Sequence, residues 1–261
     1  VPPAGSRGLS GSRHDGPVTE PSPGPGAAGD RRAELSGRLA AVRRRIESAC
    51  HAAGRDSGEV TLIAVTKTYP VSDIRLLTEL GVRDIGENRD QEAAPKAAAC
   101  QALGLPVTWH FVGQLQTNKV ASVARYADLV HSVDRLRLVR ALGMRARAVG
   151  RQITCLVQVS LDGDPRRGGA VAGQALAVAD AVACEAGLRL GGVMAVAPLG
   201  MAPGDAFWKL REIAGEVRRA HPLATAISAG MSADLEDAIA AGATHVRIGT
   251  ALLGGRRPFV R

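Results

Sequence analysis

Aromatic residues are scarce, with two Trp, two Tyr and three Phe among 261 residues. A core built without them rests on Ala, Val, Leu and Ile, and at 46% hydrophobic residues the chain has enough for one sizeable core. No apolar run approaches the roughly 18–20 residues of a membrane-spanning helix, so the chain reads as soluble. The four cysteines, Cys50, Cys100, Cys155 and Cys184, form no C-x-x-C pair and lie near no histidine at metal-ligand spacing. That pattern argues against a zinc site or a disulfide scaffold and reads as reduced thiols in a cytosolic protein. Lysine is also short: Lys67, Lys96, Lys119 and Lys209 are the only four among 33 basic residues. Arginine serves elsewhere, and a lysine kept against that bias is notable because lysine can lose its proton and attack a carbonyl, whereas arginine cannot.

The formal net charge of +8 would suit a nucleic-acid binder. The basic residues are scattered along helices, however, apart from the run Arg43-Arg44-Arg45, with no interleaved aromatics and no reading motif. Residues 1–30 read as a disordered tail, because thirteen of the thirty are Gly or Pro and no hydrophobic period is visible. The tail has neither the apolar stretch of a secretory signal nor the pattern of a transit peptide. Residues 31–261 read as one domain.

From Arg31 onward, Leu35, Leu39, Val42 and Ile46 recur at helical spacing and predict an amphipathic helix to about Ala53. Strand-like apolar runs follow at 60–66, 82–86, 107–112, 128–133, 153–161, 189–197, 224–228 and 245–252. Between them lie helical stretches such as 71–80, 117–126, 135–149, 171–186, 205–220 and 232–241, several stopping at a glycine. Eight strands alternating with helices predict an α/β fold, a closed parallel (β/α)8 TIM barrel. An open doubly wound sheet is the competitor, but no G-x-G-x-x-G follows the first strand.

In a parallel barrel, chemistry sits at the C-terminal ends of the strands. Strand one ends at Lys67, a position at the barrel mouth where partial desolvation would favour the free amine. Strand two ends at Gly86-Glu87-Asn88, strand three carries His110, strand four ends at His131-Ser132, and strand six ends near Met194. Strand seven runs into Ser228-Ala229-Gly230-Met231-Ser232, with a helix expected from about Ser232, and Arg247 in strand eight precedes Gly249-Thr250. Small residues and hydroxyls after strands seven and eight suit a phosphate, since backbone N–H groups can approach an anion there. A phosphate clamp opposite a strand-one lysine, with Arg247 between them to hydrogen-bond a pyridine nitrogen, describes a site for pyridoxal 5′-phosphate (PLP). Each feature alone also has a plain structural reading: a surface lysine, ordinary turns, a salt-bridged arginine.

Four stretches, LIAVTKTYP (62–70), IGENRDQE (85–92), WHFVGQLQTNK (109–119) and ISAGMSADLEDAIAAGATHVRIGTALLG (227–254), carry a family likeness. With weaker matches at HSVDR (131–135) and LGGVMAVAP (190–198), the chain resembles the YggS/PROSC family of PLP-binding proteins, also called pyridoxal phosphate homeostasis proteins, over about 31–256. The resemblance implies a fold-type-III barrel like the N-terminal domain of alanine racemase. It implies Lys67 as the Schiff-base lysine and Ser228, Ser232, Gly249 and Thr250 as phosphate contacts, with the Met231 backbone as an addition. Arg247 would face the pyridine nitrogen, Asn88 and Met194 would line the cofactor, and His110 would lie nearby. The chain departs from the family at Thr66, Arg89 and Ala229 and in the loop Asp162-Gly163-Asp164-Pro165-Arg166-Arg167, onto which no role is carried.

An arginine at the pyridine nitrogen leaves it unprotonated and makes the ring a weak electron sink, so the expected protein holds the cofactor rather than catalysing with it. It would buffer PLP in the cytoplasm and hand it to PLP-dependent apo-enzymes, as a monomer or weak dimer, with no nucleic-acid or membrane partner, no metal and no catalytic residue. A fold-type-III amino-acid racemase or lyase is the second reading, and Tyr69, placed near the mouth two residues past the lysine, keeps weak activity open. A basic nucleic-acid-binding barrel is the third.

Overall fold

The computed structural model describes residues 25–164 and 167–255. The alternation read from the sequence is realised as β1 (Thr61–Val65), β2 (Asp84–Glu87), β3 (Thr108–Phe111), β4 (Leu129–Val133), β5 (Ile153–Ser160), a short β6 (Ala170–Val171), β7 (Leu188–Met194), β8 (Ala226–Ser228) and β9 (His245–Ile248). All pairings are parallel, in the order β4-β3-β2-β1-β9-β8-β7-β5, and β4 pairs with β5 to close eight strands into a barrel. The two-residue β6 lies beside β5, where Val159 and Ser160 pair with Ala170 and Val171.

The helices are α1 (Pro25–Ala52), α2 (Val71–Glu79), α3 (Asp90–Ala102), α4 (Val120–Tyr126), α5 (Leu136–Ala148), α6 (Ala172–Cys184), α7 (Pro203–Ala220), α8 (Leu235–Ala240) and α9 (Thr250–Leu253). They pack on the outside of the barrel in two apolar arcs. One joins β3–β8 to α4–α7 through residues such as Val130, Leu142, Val193 and Phe207. The other sets Leu35, Leu39, Val42 and Ile46 of α1 against Leu235, Ile239, Leu252 and Leu253, so the predicted helical stripe is the buried face.

The structure corrects the sequence reading in places. Helix α1 starts at Pro25, inside the stretch assigned to the tail, where proline suits a first helical turn and Ala27-Ala28 favour helix. Residues 1–24 of that tail, and Pro165-Arg166 of the loop, lie outside the described residues. The last strand stops at Ile248 rather than running to 252, because Gly249 turns the backbone and Leu252 and Leu253 are buried from a helix. Helix α8 begins at Leu235, later than Ser232, after a turn in which the Asp234 carboxylate accepts the Met231 N–H at 2.6 Å. Helix α3, rich in Ala and carrying Pro95, has no apolar stripe to announce it and was not named among the predicted helices. No helix among the described residues is long and apolar enough to cross a membrane. All four cysteines are free.

Candidate functional site

Alternation along the strands decides which side chains enter the barrel. Ile63 and Val65 lie inside with Leu156 and Met194, all buried, and Lys67 follows on the same face one step beyond β1. Lys67 is exposed, not partly desolvated as expected, because it sits beyond the end of the strand in a turn. Its amine makes no hydrogen bond or ion pair with any described residue.

The Lys67 backbone is held firmly. Thr68 adopts φ +65°, the only non-glycine residue described with positive φ, a conformation that is strained for a β-branched side chain. The Glu92 carboxylate accepts the Thr68 N–H at 2.9 Å, and Lys96 Nζ donates to the Thr66 carbonyl at 2.8 Å. Helix α3 thus grips both residues flanking Lys67. Lys96 also donates to Glu87 Oε1 at 2.7 Å, and Thr66 Oγ1 donates to the same oxygen at 2.7 Å. Burial raises the Glu87 pKa, and Lys96 opposes that shift. The second of the four lysines is therefore an anchor for the first, and Lys209, donating to the Leu161 carbonyl, anchors another rim loop.

On the neighbouring strand β9, Arg247 is buried, and its two described acceptors are both neutral: Ser228 Oγ at 2.7 Å and the Ala195 carbonyl at 3.0 Å. Burial lowers its pKa to about 10, which leaves it charged at neutral pH, and Asp234 at longer range opposes the shift. A buried guanidinium without a carboxylate in contact is costly unless it serves a ligand or is compensated at a distance. Ser228 was expected at the phosphate; its hydroxyl is instead fully buried between Arg247 and His131 Nδ1, 2.9 Å away, because residue 228 points into the barrel below the rim.

The remaining rim residues gather at the ends of β8 and β9. Gly230 has φ +87°, and a Cβ there would lie 2.6 Å from the Ala238 Cβ, so only glycine turns the chain into α8 at this distance. Ser232 Oγ accepts the Ala251 N–H at 3.2 Å, tying this loop to α9, which opens with Gly249 and Thr250. Arg45 of α1 donates to the Ser232 carbonyl at 3.0 Å and pairs with Glu236, so one member of the arginine run braces this loop. Met231 is exposed and its N–H is engaged by Asp234. On the same rim, just past the end of β2, Asn88 Oδ1 is buried without a hydrogen-bond partner. It lies beside a cleft of about 690 Å³ lined also by Glu92, Gln114 and Lys119. Gly113 makes that rim compact, since a Cβ there would sit 2.1 Å from the Asn88 carbonyl.

These residues fit PLP. A free amine suits its aldehyde, a buried cation its pyridine nitrogen, and small residues with hydroxyls at a helix start suit its phosphate. Neither tyrosine joins them. Tyr69, expected near the mouth, turns outward: its hydroxyl reaches the Gly254 and Gly255 carbonyls and Arg31 stacks on its ring. Tyr126 packs edge-on to Trp109 in the helix layer. Residues missed by sequence reasoning are Glu92, Asp84 and the role of Lys96. The lysine bias was the one signal that marked Lys96.

The closed parallel barrel agrees with the family model of the alanine racemase N-terminal domain, which matches residues 38–257. A pyridoxal phosphate homeostasis protein of Mycobacterium tuberculosis is 44% identical over 245 residues, covering 87% of this chain and 95% of its own. One from Escherichia coli is 37% identical over 231 residues, covering 85% and 97%. PipY of Synechococcus elongatus, solved with PLP bound, is 34% identical and superposes with a TM-score of 0.74, covering 84% of this chain and all of that one. The chain belongs to the family of pyridoxal phosphate homeostasis proteins.

Proposed function

We propose that this protein holds PLP reversibly through Lys67, and that it buffers the cofactor in the cytoplasm and passes it to apo-enzymes. The observation that carries the reading is the unpartnered Lys67 amine on the rim of a barrel whose interior buries Arg247 without a contacting carboxylate. When bound, the cofactor supplies an aldehyde to which a lysine amine adds reversibly. Ser232, Gly249 and Thr250 would take the phosphate, with Met231 joining if its N–H leaves Asp234. Asn88 would offer its unpaired oxygen, Met194 would form an apolar floor, and Arg247 would meet the pyridine nitrogen. Ser228 would act on the phosphate only indirectly, since its hydroxyl is committed to Arg247 and His131.

The same geometry supports a holder over a catalyst. Proton transfer at a substrate carbon needs a second positioned base, and both tyrosines of the chain face the helix layer. The test is borohydride reduction of the PLP-loaded protein followed by peptide mass mapping. Reduction fixes the cofactor on the Lys67 peptide, and Lys67→Ala abolishes the label; a label on another lysine, or none, refutes the assignment.

A further inference from the structure

The barrel interior contains a chain of polar side chains that holding a cofactor does not by itself require. Ser228 Oγ lies 2.9 Å from His131 Nδ1, His131 Nε2 lies 3.0 Å from His110 Nδ1, and His110 Nε2 lies 2.9 Å from Asp84 Oδ1. His110, His131 and Ser228 are buried, whereas the Asp84 side chain is about one third exposed at the opposite end of the barrel from Lys67. Arg247 joins the chain by donating to Ser228.

We propose that Asp84, His110, His131 and Ser228 form a one-directional hydrogen-bond relay that positions Arg247 and links its charge to the Asp84 carboxylate across the barrel. The relay rests on the reading that Arg247 meets the cofactor ring. Its direction follows from donor counting. Arginine only donates, so Ser228 Oγ accepts from Arg247 and spends its single proton on His131 Nδ1. A neutral His131 then carries its proton on Nε2 and donates to His110 Nδ1, and His110 donates from Nε2 to the carboxylate, which only accepts. Every link is satisfied and both imidazoles are neutral. Burial first, and the neighbouring Arg247 as well, hold His131 well below the ordinary histidine pKa, in keeping with that state. The opposite direction leaves the Ser228 proton without a partner and requires a doubly protonated His110. Asp84, His110 and His131 touch neither Lys67 nor the rim, so they are positioning residues. Their effect on the ring would pass through the one orientation of the guanidinium that satisfies Ser228 and the Ala195 carbonyl together.

The first experiment is ¹⁵N NMR of the histidine rings in the full-length protein without cofactor. Bare Nδ1 and protonated Nε2 on both His110 and His131 is the expected result, and a doubly protonated His110 overturns the relay. The second is Asp84→Asn, which keeps the shape at the partly exposed end and removes the charge. The visible absorbance of the PLP-loaded variant is expected to titrate at least half a pH unit away from wild type, with PLP binding about threefold weaker. Groups facing the relay that titrate alongside it are His245 and Arg247 from β9, and they are unchanged in the variant. An unaltered titration with a lowered thermal midpoint assigns Asp84 a structural role only and overturns the proposal. His131→Asn, retaining an acceptor for Ser228 while breaking the link to His110, is expected to match Asp84→Asn. Should the Lys67 label fail while the NMR pattern holds, the PLP reading falls and the relay remains as a feature of the barrel.

Discussion

Three histidine rings meet inside this barrel, with centroids of His110, His131 and His245 between 5.2 and 6.4 Å apart. Burial lowers the His245 pKa to about 4 and drives His131 down as well, so the folded protein resists taking up protons that the unfolded chain accepts near pH 6.5. The sign is therefore fixed. Contributions from these groups are intact above about pH 6.5 and are lost as pH falls toward about 4, before most carboxylates titrate. Urea denaturation between pH 7 and 4.5 should show a falling midpoint, and His245→Asn should flatten that fall while leaving stability at pH 7 nearly unchanged. Asparagine can still accept the bond that Thr244 Oγ1 makes with His245 Nδ1 at 2.8 Å. At this scale the sequence was legible for the positions of Lys67 and Asn88 just past a strand end and of Arg247 within the last strand, because order along the chain is a local property. It was not legible for Ser228 and Tyr69, since the side of the wall a residue faces depends on one step of register.

Among the elements, α3 has the largest bearing on the site. Its Lys96 and Glu92 fix the turn that carries Lys67, and Lys96 compensates a Glu87 carboxylate that is almost fully buried, with Oε2 already lacking a partner. Lys96→Met leaves that charge uncompensated and is expected to cost about 3–5 kcal/mol of stability. Glu87→Gln placed beside it should recover part of the loss, which thermal denaturation of the single and double variants would measure. A Lys96 that merely decorated the surface would give a change within about 0.5 kcal/mol. Helix α3 escaped the sequence reading because alanine and a proline in its second turn leave no hydrophobic period, although its charged residues are the ones that reach the barrel.

Across the whole molecule, α1 is part of the fold rather than an appendage to it. Its Leu35, Leu39, Val42 and Ile46 are at most 5% exposed, and Arg31 ties it to Asp73 and to the Leu253 carbonyl. Each buried side chain is worth about 1.5–3 kcal/mol, so together they rival the 5–15 kcal/mol that holds a typical domain folded. A chain starting at residue 53 is expected to lose its cooperative thermal transition, and Leu39→Ala alone to lower stability by about 2–5 kcal/mol. Arg45, from the same helix, braces the Ser232 loop, so loss of α1 should weaken PLP binding even where the barrel survives.

The strand and helix alternation, the lone lysine after strand one and the small-residue loops after strands seven and eight were determined by the sequence alone, and with them the barrel class and the cofactor. Each is a pattern of neighbours within a few residues, and such patterns survive without knowledge of the fold. Only the tertiary structure decided the inner wiring. His131 and Ser228 stand 97 positions apart, and Lys96 reaches back 30 positions to the Thr66 carbonyl. The first contact exists because closing the barrel faces β4 and β8 across one interior, and the second because α3 reaches the end of β1, so buried polar groups meet partners remote in sequence.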